Sequence, residues 1–342
     1  MKALLLTAPG RLECRDVPRP EGPPGWVRVR VRSVGICGSD IHYFVEGRIG
    51  DQVVSFPHQL GHEGSGVVLD AAGRLLPGVP VYLEPAVVCH QCDQCRIGRE
   101  NTCRRIRFFG NPNEFPGCMR EEVVVPPENV IPLPPSIPVE VGFLLEPLCI
   151  GMYAVARSGI GEGASVAVVG CGPIGLSVIA ALSDAKPRMI YATDPVGARR
   201  EAARALGADV ALDPSPLEHG AASAVLSQTG GVDAVYECAG TLASIDDAIH
   251  MLRPGGVLML VGIPEGTDRV AFDHSHMRRN EITIVNVRRQ NRMIGRALSL
   301  LERRPDLPDI LITHRFPPER AEEAFSLVHE RRDGVIKAVI DF

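Results

Sequence analysis

Four cysteines spaced C-x2-C-x2-C-x7-C, at Cys89, Cys92, Cys95 and Cys103, are the residues whose type and spacing speak first of chemistry. Four thiolates can close a tetrahedral shell around one zinc ion, with Zn–S near ~2.3 Å. Two residues between ligands let one tight turn bring both sulfurs to the same ion. The local segment, CHQCDQCRIGRENTC, is polar and contains glycine, as a loop wrapped on a metal should be. The alternative is a disulfide cluster. A closed four-thiolate shell has no open position, so it staples a loop and leaves reactions to other residues.

A second constellation could hold a reactive metal. Cys37-Gly38-Ser39-Asp40-Ile41-His42 precedes Gly61-His62-Glu63. A thiolate, an imidazole and a carboxylate form a mixed shell that can keep a position open for water or substrate. Asp40 reads as a partner that orients a ligand rather than as a catalytic acid. His42 is either a proton shuttle or a packed neighbour. His58, His274 and His276 stand outside any motif and read as structural or solvated.

The third signal is Gly170-x-Gly172-x-x-Gly175, set between the apolar run Ser165–Val169 and the helical segment LSVIAAL. The first glycine permits a tight turn, the second lets backbone approach a pyrophosphate, and the third lets helix and strand pack closely. The helix N-terminus then presents free N–H groups and a positive dipole end to phosphates. The next strand, MIYATD, ends in Asp194, where an acid would bind the ribose hydroxyls. The alternative for Asp194 is a helix N-cap with Pro195 at the first helical position. A carboxylate there repels a 2′-phosphate and favours NAD over NADP, although Arg199 and Arg200 follow closely.

Periodicity indicates what must position these groups. Residues 1–35 read as short strands, with Val27, Val29 and Val31 alternating with Arg28, Arg30 and Arg32. Gly61 to Leu69 and Val79 to Leu83 continue a β-rich pattern, and the proline-dense PPENVIPLPPSIP leads into a helix containing Glu140 to Tyr153. From about Ala164, the apolar runs SVAVVG, MIYATD, AVYECAG and VLMLVGI alternate with helical segments. That alternation implies a parallel sheet covered by helices, an α/β fold. The tail reads as a helix over Ala321 to Arg332 and a strand over Ile336 to Asp341.

Composition bounds the function. The chain has 342 residues, 45% of them apolar and 23% charged, and a net charge of -5. That length suits about two domains of ordinary size. The acidic balance offers no footprint for nucleic acid or an anionic membrane. Lysine occurs only at Lys2, Lys186 and Lys337, none in a phosphate-binding or Schiff-base motif. The N-terminus meets charge too early for a secretory signal, and the apolar stretch Ala164 to Leu182 is broken by the glycine motif. The ten cysteines therefore point to a reducing, cytoplasmic setting. Cys14, Cys118, Cys149, Cys171 and Cys238 lack metal spacing and read as buried thiols.

Taken together, GICGSDIHYFVEGRIGD, LGHEGSG, the four-cysteine loop, REEVVVPPENVIPLP, LLEPL, GCGPIG and THRFPPERAEEAF span nearly the whole chain. They resemble the zinc-containing medium-chain dehydrogenase/reductase family, in its polyol (sorbitol/xylitol) dehydrogenase branch. The resemblance implies a GroES-like catalytic domain from residues 1–150 and 287–342, carrying the structural zinc loop 89–103. It places a Rossmann NAD-binding domain at 151–286. It implies that Cys37 and His62 bind a catalytic zinc, with Glu63 and Glu146 completing the protein contacts directly or through water. Ser39 is implied as proton relay, and Tyr43, Phe109, Glu146, Arg288 and Arg289 as substrate-site residues. On the cofactor side it suggests Gly170, Gly172, Ile174, Gly175, Asp194, Arg199, Val261, Gly262, Ile263, Asn286, Val287 and Arg288. Two zinc ions per chain, NAD, a small polyol or sugar-derived alcohol, and a homodimer or homotetramer are the implied partners. The implied reaction is hydride transfer from a secondary alcohol whose hydroxyl is acidified by zinc.

Two departures bear on substrate. The family's Arg-Tyr pair is here Arg288-Arg289, which either offers a bidentate site for a carboxylate or phosphate or turns the second arginine to solvent or an interface. The loop FFGNPNEFPGCMREE lacks the family's Asp-Gly turn. Competing readings are an L-threonine or sugar-acid dehydrogenase, a non-catalytic NAD-binding protein that keeps the fold, and a zinc-ribbon nucleic-acid binder. The set Cys37, His62, Glu63 and Glu146 disfavours the second reading, and the acidic charge the third.

Overall fold

The computed structural model describes residues 1–70, 75–215, 224–225, 228–264, 266–267 and 269–342. The chain forms two compact units, Met1–Glu146 with Leu301–Phe342, and Pro147–Leu300. Residues 287–300, placed with the first unit on sequence grounds, thus belong by their contacts to the second.

In the first unit, the strand Val27–Gly35 lies at the middle of a seven-stranded sheet. Its valines are buried, as the alternation with arginine requires. The strand Glu63–Val68 pairs antiparallel along one edge, with Gly35 opposite Glu63. The C-terminal strand Lys337–Asp341 pairs along the other, with Gly35 opposite Val339. Residues from opposite ends of the chain thereby flank one glycine. The helices Gly38–Glu46 and Ala321–His329 are joined through Phe44 and Phe325, whose ring centroids lie 5.2 Å apart.

The second unit holds a six-stranded parallel sheet. In spatial order its strands are Val210–Leu212, Met189–Thr193, Ser165–Val169, Val232–Glu237, Leu252–Leu260 and Thr283–Asn286. Chain order reverses between Ser165–Val169 and Val232–Glu237, the crevice where doubly wound sheets bind dinucleotides. Ser165–Val169 is buried along its whole length, which is why its sequence is continuously apolar. Helix Pro173–Leu182 buries every residue from Gly175 on, so the apolar stretch noted in the sequence is a core strand and helix. Among the described residues, one helical run is long and apolar enough to cross a membrane, Val139–Ser158. It opens with a 3-10 segment, Val139–Leu144, and 61% of its most apolar window is buried.

Candidate active site

The four cysteines of the 89–103 loop converge with all sulfurs within 4.8 Å of one another. Cys89 and Cys95 sulfurs are 4.0 Å apart, Cys92 and Cys95 3.5 Å, Cys92 and Cys103 3.9 Å, and Cys89 and Cys103 3.4 Å. A tetrahedron with ~2.3 Å metal–sulfur bonds has edges of about 3.8 Å, whereas a disulfide needs about 2.05 Å. All four are free thiols, so the disulfide alternative falls. Backbone N–H groups of Gln91 and Cys92 and the Cys103 thiol draw Cys89 down to about 5. Burial and the surrounding sulfurs push Cys95 up to about 12. Four thiolates could share this space only around a cation, and the donor set fits zinc.

Cys37 N-caps the helix Gly38–Glu46, while His62 and Glu63 lie at the start of the adjoining strand. The sheet register brings their donor atoms within 4.8 Å of one another. Asp40 is buried behind them. Its Oδ2 accepts the Cys37 N–H at 3.0 Å, its Oδ1 accepts the Gly61 N–H at 3.2 Å, and Oδ1 lies 3.6 Å from His62 Nδ1. One carboxylate thus orients two of the candidate ligands, the role expected for Asp40. Burial works against its charge, yet His62 and the two N–H donors hold Asp40 below its ordinary range. Burial likewise opposes charge on His62, but Asp40 and Cys37 outweigh it and lift the imidazole well above its usual value.

Sequence reading missed Lys337. Its ammonium, 2% exposed, donates to both Glu63 oxygens at 2.7 Å and to the Ile36 carbonyl at 3.0 Å. Burial would lower its pKa, but Glu63 and Cys37 raise it, so it stays charged. Gly35, between the two strands, leaves the space for this pair: a Cβ there would stand 2.1 Å from Glu63 Oε2. The scarcity of lysine was the available signal, and absence of a motif hid it.

Glu146, in the first turn of Leu145–Ser158, does not join the three converging donors. It is buried beside them, and its Oε2 has no hydrogen-bond partner among the described residues. Burial, with Glu63 and Glu84 adding to it, pushes its carboxyl up to about 8. An orphaned buried oxygen beside a thiolate, an imidazole and a carboxylate is what a metal shell would satisfy.

The other expected residues sort as follows. Ser39 is half-buried in the first turn of the same helix. His42 Nδ1 lies 3.8 Å from Glu46 one turn on. Tyr43 is buried, and its hydroxyl donates to Gln52 Oε1 at 3.2 Å. Gln52 in turn donates to Glu114 at 3.0 Å, and Asn111 to Glu114 at 3.2 Å, a polar chain unseen in the sequence. Phe109 is buried and stacked on Phe115 at 4.8 Å. Both line a cavity of about 210 Å³ with Trp26 and Arg120, and none of Cys37, His62, Glu63 and Glu146 borders it. His58 Nε2 donates to the Gly110 carbonyl at 2.8 Å, a structural role as expected.

In the second unit, a Cβ on Gly175 would stand 1.8 Å from the Gly170 carbonyl, and Gly170 itself has φ +90°. A Cβ on Gly172 would meet nothing within 4 Å, so this side of the helix N-terminus is open to an approaching pyrophosphate. Asp194 Oδ2 accepts the Cys171 N–H and Oδ1 the Val196 N–H, both at 2.8 Å. The helix begins at Gly197, two residues later than a Pro195 start would place it. Each carboxylate oxygen keeps a lone pair for a ribose hydroxyl. Arg200 is occupied with the Asp194 and Pro195 carbonyls at 2.7 and 2.8 Å and with Asp213 at 3.1 Å. Arg199 is half-buried on the same helix, and Ile174 opens the helix after the glycine turn. Val261 and Gly262 leave the end of Leu252–Leu260 toward the half-exposed Ile263. Asn286 closes the edge strand, Val287 N–H bonds the Leu260 carbonyl at 2.9 Å, Arg288 is exposed, and Arg289 is half-buried at φ +54°.

The chain is similar to known proteins along most of its length. The model of the alcohol dehydrogenase GroES-like domain matches residues 23–135, and that of the zinc-binding dehydrogenase matches residues 173–303. Sorbitol dehydrogenase of Bos taurus is 36% identical over 330 residues, covering 94% of this chain and 91% of its own. L-idonate 5-dehydrogenase of Vitis vinifera is 33% identical over 309 residues, covering 87% and 83%. A protein of Sinorhizobium meliloti 1021, assigned as a zinc-binding dehydrogenase and solved with NADP, superposes with a TM-score of 0.89 at 27% identity. It covers 100% of this chain and 99% of its own.

Proposed function

This chain belongs to the zinc-containing medium-chain dehydrogenases, and we propose that it oxidises a secondary hydroxyl of a polyol or sugar-derived alcohol with NAD. The observation that carries the reading is the convergence of Cys37, His62 and Glu63 donors within 4.8 Å in a chain that also builds a dinucleotide sheet. When bound, zinc supplies a Lewis acid that lowers a hydroxyl pKa, and NAD supplies the hydride acceptor. Cys37, His62 and Glu63 would hold the metal, with the buried Glu146 carboxyl beside them. Asp40 keeps Cys37 and His62 in place, and Lys337 neutralises Glu63. Ser39 takes the substrate proton, and His42 passes it toward solvent. Tyr43, buried on the helix that Cys37 caps, shapes the substrate site within the first unit. Cys89, Cys92, Cys95 and Cys103 hold a second zinc that staples their loop.

Asp194 supports NAD over NADP, because its carboxylate would face a 2′-phosphate and Arg200 is committed to carbonyls and Asp213. The similarity to a protein solved with NADP makes the preference worth measuring. A second reading, an anionic sugar-acid substrate, is favoured by the Arg288-Arg289 pair and by the relative that acts on L-idonate. The edge strand Thr283–Asn286 pairs on one side only among the described residues, which supports a homodimer or homotetramer built through this unit. Ten free thiols support a reducing, cytoplasmic setting.

The test is NADH formation by the zinc-loaded protein on neutral polyols, aldonates, polyol phosphates and threonine, with NAD and with NADP. Turnover of a neutral polyol with NAD supports the main reading. Turnover of anionic substrates alone reassigns the substrate class to the arginine pair. No turnover at full zinc occupancy refutes it.

A further inference from the structure

Glu237 ends the strand Val232–Glu237 at the sheet's point of reversal, and it is fully buried. Its Oε1 accepts three donors, the N–H groups of Ala239 and Gly240 and the hydroxyl of Ser244, each at 2.8 Å. Its carbonyl accepts the N–H groups of Val261 and Gly262, each at 2.9 Å. Its Oε2 has no partner among the described residues. One residue therefore ties the loop after its own strand to the loop after the next.

Glycines make that tie close. Gly240 sits at φ +71°, and a Cβ there would stand 2.4 Å from the Ile263 carbonyl. A Cβ on Gly262 would stand 2.6 Å from the Gly240 N–H and 2.9 Å from Glu237 Oε2. A Cβ on Gly170 would stand 2.8 Å from the Ala239 nitrogen, so the pyrophosphate turn also rests on the loop that Glu237 holds. Ile263 in one loop and Leu242, the first residue of the helix Leu242–His250 that follows the other, are 49% and 52% exposed and leave apolar surface at this end of the sheet.

A dinucleotide spans both halves of such a sheet. Asp194 marks the adenosine half on one side of Gly172. The other half must then lie over the ends of Val232–Glu237 and Leu252–Leu260, where the two loops meet. We propose that Glu237 is a positioning residue for the nicotinamide half of the cofactor site, holding the Cys238–Thr241 loop against Val261–Ile263 so that their backbone and apolar side chains meet the ring. The proposal rests on the dinucleotide reading above. Among the described residues no donor reaches Oε2, and burial pushes the carboxyl above its ordinary range, so the group acts through geometry and not as an ion-pair partner.

The experiment compares NADH with ADP-ribose, which carries the adenosine half and the pyrophosphate but no nicotinamide. Dissociation constants are measured by fluorescence and calorimetry on the zinc-loaded wild type and on Glu237→Ala, Glu237→Gln and Gly240→Ala. Glu237→Ala is expected to weaken NADH at least ~10-fold, about 1.4 kcal/mol, and ADP-ribose less than ~3-fold. Glu237→Gln, which keeps the Oε1 acceptor, should recover NADH binding to within ~3-fold of wild type. Gly240→Ala forces the loops apart with the Glu237 side chain itself unchanged, and it should repeat the NADH-selective loss even if Glu237→Ala fails to fold. Equal weakening of both ligands, or no weakening of NADH in Gly240→Ala, overturns the proposal. Failure of the wild type to bind either ligand would instead refute the dinucleotide reading itself.

Discussion

Replacing Lys337 by methionine tests the buried pair at the candidate metal site. Methionine keeps the length and apolar stem but leaves three buried acceptors without a donor, both Glu63 oxygens and the Ile36 carbonyl. Removing one partner of a buried, hydrogen-bonded charge pair costs about 3–5 kcal/mol, because the remaining charge stays desolvated. At roughly 2–4 °C per kcal/mol, the zinc-free protein should melt ~6–20 °C lower. Zinc should shrink the loss, since a cation beside Glu63 replaces part of what the ammonium supplied. Glu63→Gln in the same chain should recover at least ~1 kcal/mol, because the neutral amide no longer needs a counter-charge. The assay is thermal and urea unfolding of the four chains of this cycle, with and without zinc, alongside metal analysis. A loss below about 1.5 kcal/mol, the range of a volume-conserving core swap, would refute the reasoning if it came with additive effects of the two substitutions.

Cys92→Ser should leave one zinc per chain by metal analysis and expose the amides of the 89–103 loop to hydrogen exchange, because the remaining three sulfurs no longer close a shell. Zinc uptake by the zinc-free protein at pH 7 should release protons. If Glu146 ionises on binding, Glu146→Gln should release ~0.9 fewer, since a carboxyl at about 8 is mostly protonated there; calorimetry in buffers of different ionisation enthalpy reads the difference, and no change would exclude Glu146 from the shell. Burial opposes charge on Asp233, but the Ser165 N–H at 2.8 Å and Arg253 hold its pKa below the ordinary value. A depressed folded-state pKa contributes stability above the unfolded value that is lost as pH falls through the folded one. Asp233→Asn should therefore lower the urea midpoint at pH 7, with the gap to wild type narrowing below about pH 4; a gap that is constant with pH would refute the linkage.

Legibility followed distance along the chain. The four cysteines lie within one short segment, so their spacing alone announced a closed metal shell, and the sulfur separations agree. The glycine turn and the alternating strands were equally plain, since local backbone geometry dictates which residue types can occupy them. Asp40 was readable as an orienting partner because it sits three residues from Cys37. The helix after Asp194 starts at Gly197, because Asp194 spends one oxygen on the Val196 N–H and another on the glycine turn. Residues 287–300 read as part of the first unit, but their contacts lie with the second.

The sequence by itself determined the α/β alternation, the cysteine loop and the pyrophosphate turn, because each is written in a local spacing or period, while the three converging donors were implied by the family resemblance. Only the tertiary structure decided how the donors are supported. Lys337 reaches Glu63 from 274 positions away, across a glycine whose missing side chain is meaningful only once two strands flank it. Glu146 carries an orphaned oxygen because the fold buries it at a helix start without a donor among the described residues. Glu237 joins two loops because parallel strands end side by side. Burial and hydrogen-bond satisfaction are properties of the assembled chain, so no linear spacing encodes them.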